Sequence, residues 1–202
     1  MKITEDHKVE GAIWDPIHGG VPMPVRRCLV YHFTGGATAA SSVTAMKERG
    51  VSAHVVVDRD GSIRQCRPFN VQCAHAGKSR WVDPNTGKKY GSANEYGIGI
   101  EIANAGDDPG ALSWAKKHGG ATKRAKHPNG GPETEWEVYP DAQLKAVREL
   151  SIALVAKYHL DDCTTHEAIA PERKNDTGPL FPVEEMREAC GFGRTRPIVH
   201  HA

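Results

Sequence analysis

The sequence predicts an α/β domain: a single mixed central β-sheet flanked by helices. Three observations predict it. β-branched apolar runs alternate with stretches of helical period along most of the chain. The 202 residues suffice for one well-formed core and fall short of two comfortable domains. Hydrophobic residues make up 39% and charged residues 25%, the ordinary mix of a globular chain.

The elements follow in order. Residues 1–24 carry Gly, Pro and polar residues with little periodicity and read as an irregular arm. Val25 to His32 reads as a strand, broken by Thr34-Gly35-Gly36. Residues 38–49 read as a helix capped by Gly50, the residue that best tolerates a left-handed C-terminus. Ala53 to Asp58 and Ser62 to Arg67 read as a hairpin around Asp60-Gly61. Residues 68–95 read mostly as loop, and Ile98 to Ile102 as a strand apolar enough to lie centrally. Residues 104–136, rich in Gly, Lys and His, show neither period and read as a long insertion loop.

Pro140 suits the first turn of a helix running to about His159, with Leu144, Val147, Leu150, Leu154 and Val155 on its core face. A short segment from Asp162 to Thr165 leads to His166, and a last helix is expected near 183–190. The domain is thus expected over 25–190, with its insertion at about 104–137 and a tail at 191–202.

Composition also narrows the function classes. The formal net charge of +1 gives no general reason to bind nucleic acid. No apolar run approaches the roughly 18 residues that span a bilayer, and the start, Met1 to Trp14, lacks the apolar stretch of a secretory signal. The expectation is a monomer made in the cytoplasm, without membrane insertion. The five cysteines form no CxxC pair, so reduced thiols are the simpler reading.

Three places carry candidate chemistry. His32 falls where a strand meets a glycine turn, so its side chain stands on a rigid element at the mouth of a site. His166 follows the short segment after the long helix. Asp176 lies ten residues further on, in a Pro/Gly-rich loop able to fold back beside His166. Two imidazoles and a carboxylate match a catalytic zinc shell with one position left open. Spacing alone also admits unrelated polar residues, because no compact HExxH pattern is present.

The run His166-x4-Pro171-x-Arg173-Lys174-x-Asp176-x-Gly178-Pro179-x-Phe181-Pro182 resembles the signature of the amidase-2 family of N-acetylmuramoyl-L-alanine amidases, which shares its fold with peptidoglycan recognition proteins. Four more segments resemble that family in order: Val30 to Thr34, Val51 to Gly61, His75-Ala76-Gly77-Lys78-Ser79-x-Trp81, and Asn94-x-x-Gly97-Ile98-Gly99-Ile100-Glu101. The resemblance implies Zn2+ at His32, His166 and Asp176. It implies Glu101 as general base toward the attacking water and Lys174 as stabiliser of the oxyanion. It also implies substrate contacts at His75, Trp81 and Thr34. His75 alternatively orients a ligand or is structural, and Trp81 alternatively covers its loop. Glu101 and Lys174 also admit bland readings, as an edge-strand charge and a surface ion pair.

In one respect the chain departs from the pattern. Where some members carry a tyrosine before the second-strand histidine, this chain has Ala53, so no phenol assists there and His54 reads as structural.

The implied reaction is hydrolysis of the amide between N-acetylmuramic acid and L-alanine in peptidoglycan. A phage or prophage endolysin acting on the cell wall is the first expectation. The alternatives are a cytosolic anhydro-muropeptide amidase of wall recycling and a non-catalytic peptidoglycan-recognition module. The basic residues Lys116, Lys117, Lys123, Arg124 and Lys126 read either as a solvated loop or as an attraction to the anionic wall.

Overall fold

A computed structural model describes residues 1–193; residues 194–202, which hold most of the expected tail, lie outside the described residues. Six strands form one mixed sheet. In chain order they are β1 (Ile13–Trp14), β2 (Cys28–Phe33), β3 (Val55–Val57), β4 (Ile63–Gln65), β7 (Gly97–Ile102) and β10 (Asp162–Thr165). Between them come two separate hairpins, β5 (Trp81–Val82) with β6 (Lys89–Tyr90) and β8 (Thr122–Lys126) with β9 (Glu133–Glu137). The sheet order is β1-β4-β3-β7-β2-β10, and only β3 and β4 pair antiparallel. The expected mixed sheet is present, and β7 lies centrally between β3 and β2.

Two faces of the sheet serve two purposes. In β7, Ile98, Ile100 and Ile102 alternate with Gly97, Gly99 and Glu101, so the isoleucines share one face and the glutamate stands on the other. In β2, Leu29 and Tyr31 share the isoleucine side, while Val30 and His32 face the opposite way. Helix α3 (Asp141–Tyr158) covers the isoleucine side with Val147, Leu150 and Leu154, all fully buried. Removing such a side chain, as in Leu150→Ala, costs about 2–5 kcal/mol. Polar pairs join this contact: the Tyr31 hydroxyl donates to Ser151 Oγ at 2.8 Å, and Gln143 Nε2 of α3 donates to the Val57 and Ala103 carbonyls. The apolar stripe expected from the sequence is this face.

Helix α1 (Ala39–Arg49) lies on the other side, with Val43 and Met46 against Val56. Thr38 caps it through a reciprocal bond with Ser41, and Gly50 ends it at φ 66°, as its sequence signals predict. After β10 come the one-turn helix α4 (His166–Ile169) and then α5 (Val183–Ala189).

Two expectations are refined and one is corrected. Residues 1–24 are largely irregular, as read, yet β1 extends the sheet beside β4, and Ile3, Val9 and Met23 are buried in the core. Residues 68–95 are mostly loop, as read, and also hold the β5–β6 hairpin, whose turn runs from Asp83 to Gly87. Residues 104–137 are not an unstructured insertion. They fold as helix α2 (Pro109–Lys117), capped by Asp108, followed by the β8–β9 hairpin. Nine residues give α2 too little length to show a period. The hairpin alternates charged residues rather than apolar ones, so it lacks the usual strand signal.

Candidate metal centre and active site

The sheet register sets the site. His32 on β2 pairs with Glu101 on β7, and Tyr31 pairs with Thr165, the last residue of β10. His166 follows Thr165 directly, so His166, His32 and Glu101 form one row across three adjacent parallel strands. The row lies at the carboxyl ends of those strands, where open α/β sheets place their ligands. The site thus spans the ends of edge strand β10 and of its inner neighbours β2 and β7.

Asp176 reaches this row from the loop after α4. Its Oδ2 lies 3.0 Å from His32 Nδ1 and 2.9 Å from His166 Nδ1, and the two Nδ1 atoms are 2.8 Å apart. All three residues are buried. Among the described residues they form a cluster able to hold a metal ion.

The hydrogen-bond network assigns the tautomers. The Gly97 carbonyl, 3.1 Å from His75 Nε2, can only accept, so His75 carries its proton there and leaves Nδ1 free. His32 Nε2, 2.9 Å from that Nδ1, then donates to it. His166 Nε2 donates to the Ala76 carbonyl at 3.1 Å. Both His32 and His166 thus turn an Nδ1 lone pair toward Asp176 Oδ2. Three electron-pair donors converging on one point repel one another unless a cation lies among them, so this donor set fits a metal ion, and a second shell of this kind fixes ligand tautomers.

Electrostatics agree. Burial lowers the His32 pKa to about 4, with the His166 charge adding to the effect, so the imidazole is neutral and ligand-ready near neutral pH. Burial would raise the Asp176 carboxyl, but the two imidazoles against it outweigh that and hold it well below the carboxylate range. Burial and the Asp176 charge push Glu101 well above the ordinary carboxyl value, against a smaller opposing pull from Lys174. Glu101 Oε2 is sealed from solvent and has no hydrogen-bond partner among the described residues, which fits an atom reserved for a bound species.

A cavity of about 650 Å³ opens over the row. Glu101, Lys174 and Thr34 line it, with Ser42 and Arg49 of α1 on the far wall. The sequence-predicted His32, His166, Asp176, Glu101, Lys174 and Thr34 therefore meet in one place.

One expected substrate contact does not hold: Trp81 is fully buried and donates its Nε1 proton to Asp162 Oδ2 at 2.8 Å, so its ring cannot stack on a sugar. His75 lines the cavity, with its two ring nitrogens engaged by the Gly97 carbonyl and by His32 Nε2. A side chain at Gly99 would place its Cβ 2.6 Å from the His75 ring, so that strand position has to stay glycine. His54 is structural as expected: it accepts from the Gly99 amide and donates to the Val71 carbonyl. The basic cluster is partly neutralised, Lys116 by Glu135 and Arg124 by Glu133.

Sequence reasoning missed two residues. Asn94 Oδ1 accepts from the His75 and Ala76 amides, holding the loop that supplies the acceptors for His32 Nε2 and His166 Nε2. Its place in the Asn94-x-x-Gly97 motif was the available signal. Glu167 is buried beside His166, with burial pushing its pKa up to about 7.

Fold and site define the class, a layered α/β domain with a candidate metal centre at the strand ends. The chain belongs to the N-acetylmuramoyl-L-alanine amidase family, whose profile matches residues 22–179. It is similar to N-acetylmuramoyl-L-alanine amidase AmiD of Escherichia coli K12, at 29% identity over 174 residues, covering 82% of this chain and 53% of that protein. It is similar to 1,6-anhydro-N-acetylmuramyl-L-alanine amidase AmpD of Salmonella typhimurium SL1344, at 31% identity over 139 residues, covering 68% of this chain and 56% of that protein. The chain thus spans about half the length of these curated relatives. The solved complex of Escherichia coli AmiD with anhydro-N-acetylmuramic acid-L-Ala-D-γ-Glu-L-Lys superimposes with a TM-score of 0.63 at 26% identity, covering 92% of this chain and 61% of that one.

Proposed function

We propose that this chain is a zinc-dependent amidase that hydrolyses the bond between the lactyl group of N-acetylmuramic acid and L-alanine, with soluble anhydro-muropeptides as its substrates. The observation that carries the reading is the convergence of His32 Nδ1, His166 Nδ1 and Asp176 Oδ2, with Glu101 and Lys174 on the same cavity. Three protein ligands leave a position open, as in catalytic rather than structural zinc sites.

Zinc held there supplies Lewis acidity and brings the pKa of water to about 7. The chain's own residues do the rest. Glu101 Oε2 takes the proton of the attacking water and holds it, which its raised pKa favours, until the alanine nitrogen leaves with it. The Lys174 ammonium faces the negative charge that develops on the carbonyl oxygen. His75 keeps His32 in the tautomer that binds metal. Thr34 lines the same cavity, within reach of a bound substrate.

The first expectation, a lytic phage enzyme, yields to the recycling type of amidase. What favours this is the relatives: AmpD is named for an anhydro-muramyl substrate, and AmiD is solved with one bound. A recognition module without catalysis is disfavoured by the complete ligand set. The test is to offer the purified chain both anhydro-muropeptide and polymeric peptidoglycan, with and without a chelator, and to identify new L-alanine amino termini. Release from the soluble substrate that exceeds release from polymer and stops on chelation supports the reading. Faster release from polymer returns the lytic role, and release that ignores chelation ends the zinc mechanism.

A further inference from the structure

The residues after α4 carry both Lys174 and Asp176, yet 171–178 contains no strand or helix. Something else must hold this stretch within tenths of an ångström, because metal ligands tolerate little displacement. One side is pinned by Arg173, whose Nη2 donates to the carbonyls of Ala76 and Lys78, each at 2.7 Å. The other side meets the β8–β9 hairpin.

The contacts of that hairpin run along the whole stretch. Asn129 Nδ2 donates to the carbonyls of Glu167 and Pro171, both at 3.3 Å. The Asn129 amide donates to His127 Nδ1 at 3.0 Å, so the His127 proton is on Nε2, which donates to the Asn175 carbonyl at 3.2 Å. His127 is buried and stacks on Trp136, with ring centroids 5.8 Å apart. Trp136 in turn closes over Gly178, where a Cβ would lie 2.7 Å from the indole. Asp107, which precedes α2, accepts from Asn175 Nδ2 at 3.2 Å. The bonds of His127, Asn129 and Asp107 fall on the residues flanking Lys174 and Asp176, leaving those two side chains free for the site.

We propose that the β8–β9 hairpin is a positioning clamp for the ligand-bearing stretch 171–178, with His127 and Asn129 as its positioning residues. The proposal rests on the reading of Asp176 as a metal ligand, and its first readout does not. It gives the segment a role other than solvated loop or wall anchor: Arg124 pairs with Glu133 across the hairpin and Glu135 with Lys116 of α2, while the hairpin's tip grips the site.

The test compares the parent chain with His127→Ala/Asn129→Ala, with His127→Gln, and with Arg124→Ala, which breaks the hairpin's own Arg124–Glu133 pair away from the clamp. The first readout is amide hydrogen exchange of 171–178 on the metal-free full chain. The second is zinc affinity by chelator competition, and the third is kcat against KM. The clamp predicts exchange in 171–178 faster by about tenfold or more in the double variant. It also predicts zinc affinity weaker by about 10–100-fold, the usual effect of losing an outer-shell support. In His127→Gln, which keeps a donor near Nε2, most of both effects is recovered, and Arg124→Ala leaves them at parent values. Unchanged exchange in the double variant, or an equal rise in Arg124→Ala, overturns the clamp. A parent chain that binds no zinc overturns the metal reading, while the exchange comparison still decides the clamp.

Discussion

His32, Glu101 and His166 stand in one row across three parallel strands, whereas Lys174 and Asp176 stand on a stretch without regular structure. The first group inherits its spacing from the ladder: neighbouring strands are ~4.8 Å apart whatever the side chains do. The second group has no such inheritance. Beyond the local backbone bond from the Glu167 amide to the Asp176 carbonyl, its placement comes from side-chain bonds that link it to segments some 40 to 100 residues away in sequence, through Asn129, His127, Tyr139 and Arg173 with its carbonyl partners. The sheet supplies geometry by default, and the stretch 171–178 has to be held.

Substitutions sharpen this contrast, beginning with the largest effect. Glu101→Gln keeps the strand and the shape but removes proton transfer. Its kcat should fall by about 10²–10⁴-fold, with zinc content unchanged by elemental analysis; a chain that keeps full activity assigns the proton to another group. Lys174→Met removes the cation from the held half. Its kcat should fall by about 10²–10³-fold with little change in KM, measured on anhydro-muropeptide; a change confined to KM makes Lys174 a binding residue.

His75→Phe removes the acceptor that fixes the His32 tautomer. Zinc affinity should weaken by about 10–100-fold, read by chelator competition, and an unchanged affinity would show that strand geometry alone orients His32.

A further effect is in stability against pH, and it probes the sheet beneath the row. His54 is fully buried, and burial lowers its pKa from 6.5 to about 4. Between these values the unfolded chain binds more protons than the folded one. The stability contributed by a neutral His54 is therefore full above pH 6.5 and is lost as pH falls toward 4, a loss approaching roughly 3 kcal/mol. Urea unfolding of the metal-free chain should show a steeper loss over this range in the parent than in His54→Gln. Parallel curves would mean that His54 is already paired as the cation.

The contrast also explains what was legible in the sequence. β2 and β7 announce themselves by apolar runs, and His32 and Glu101 are placed as soon as those runs are read as neighbouring strands. Gly97 and Gly99 even mark the face that His75 occupies. Asp176 was a candidate from its Pro/Gly-rich loop ten residues beyond His166, but only resemblance assigned it as a ligand, because nothing local states that the loop does fold back. The clamp was not legible at all. The β8–β9 hairpin reads Thr-Lys-Arg-Ala-Lys and Glu-Thr-Glu-Trp-Glu, and only Trp136 and Glu137 of these are buried, so it gives no core-facing alternation. Trp81 misled for a related reason. An aromatic residue in a substrate-side motif suggests stacking, while its partner Asp162 lies 81 residues away.

The central claim is that both halves close on one ion. Zinc titration of the metal-free chain, followed by chelator competition, tests it most directly in the parent, His32→Ala and Asp176→Ala. The account predicts one tightly held zinc per parent chain and its loss from both variants, one from each half. Undiminished zinc binding in either variant, with the fold intact, contradicts it.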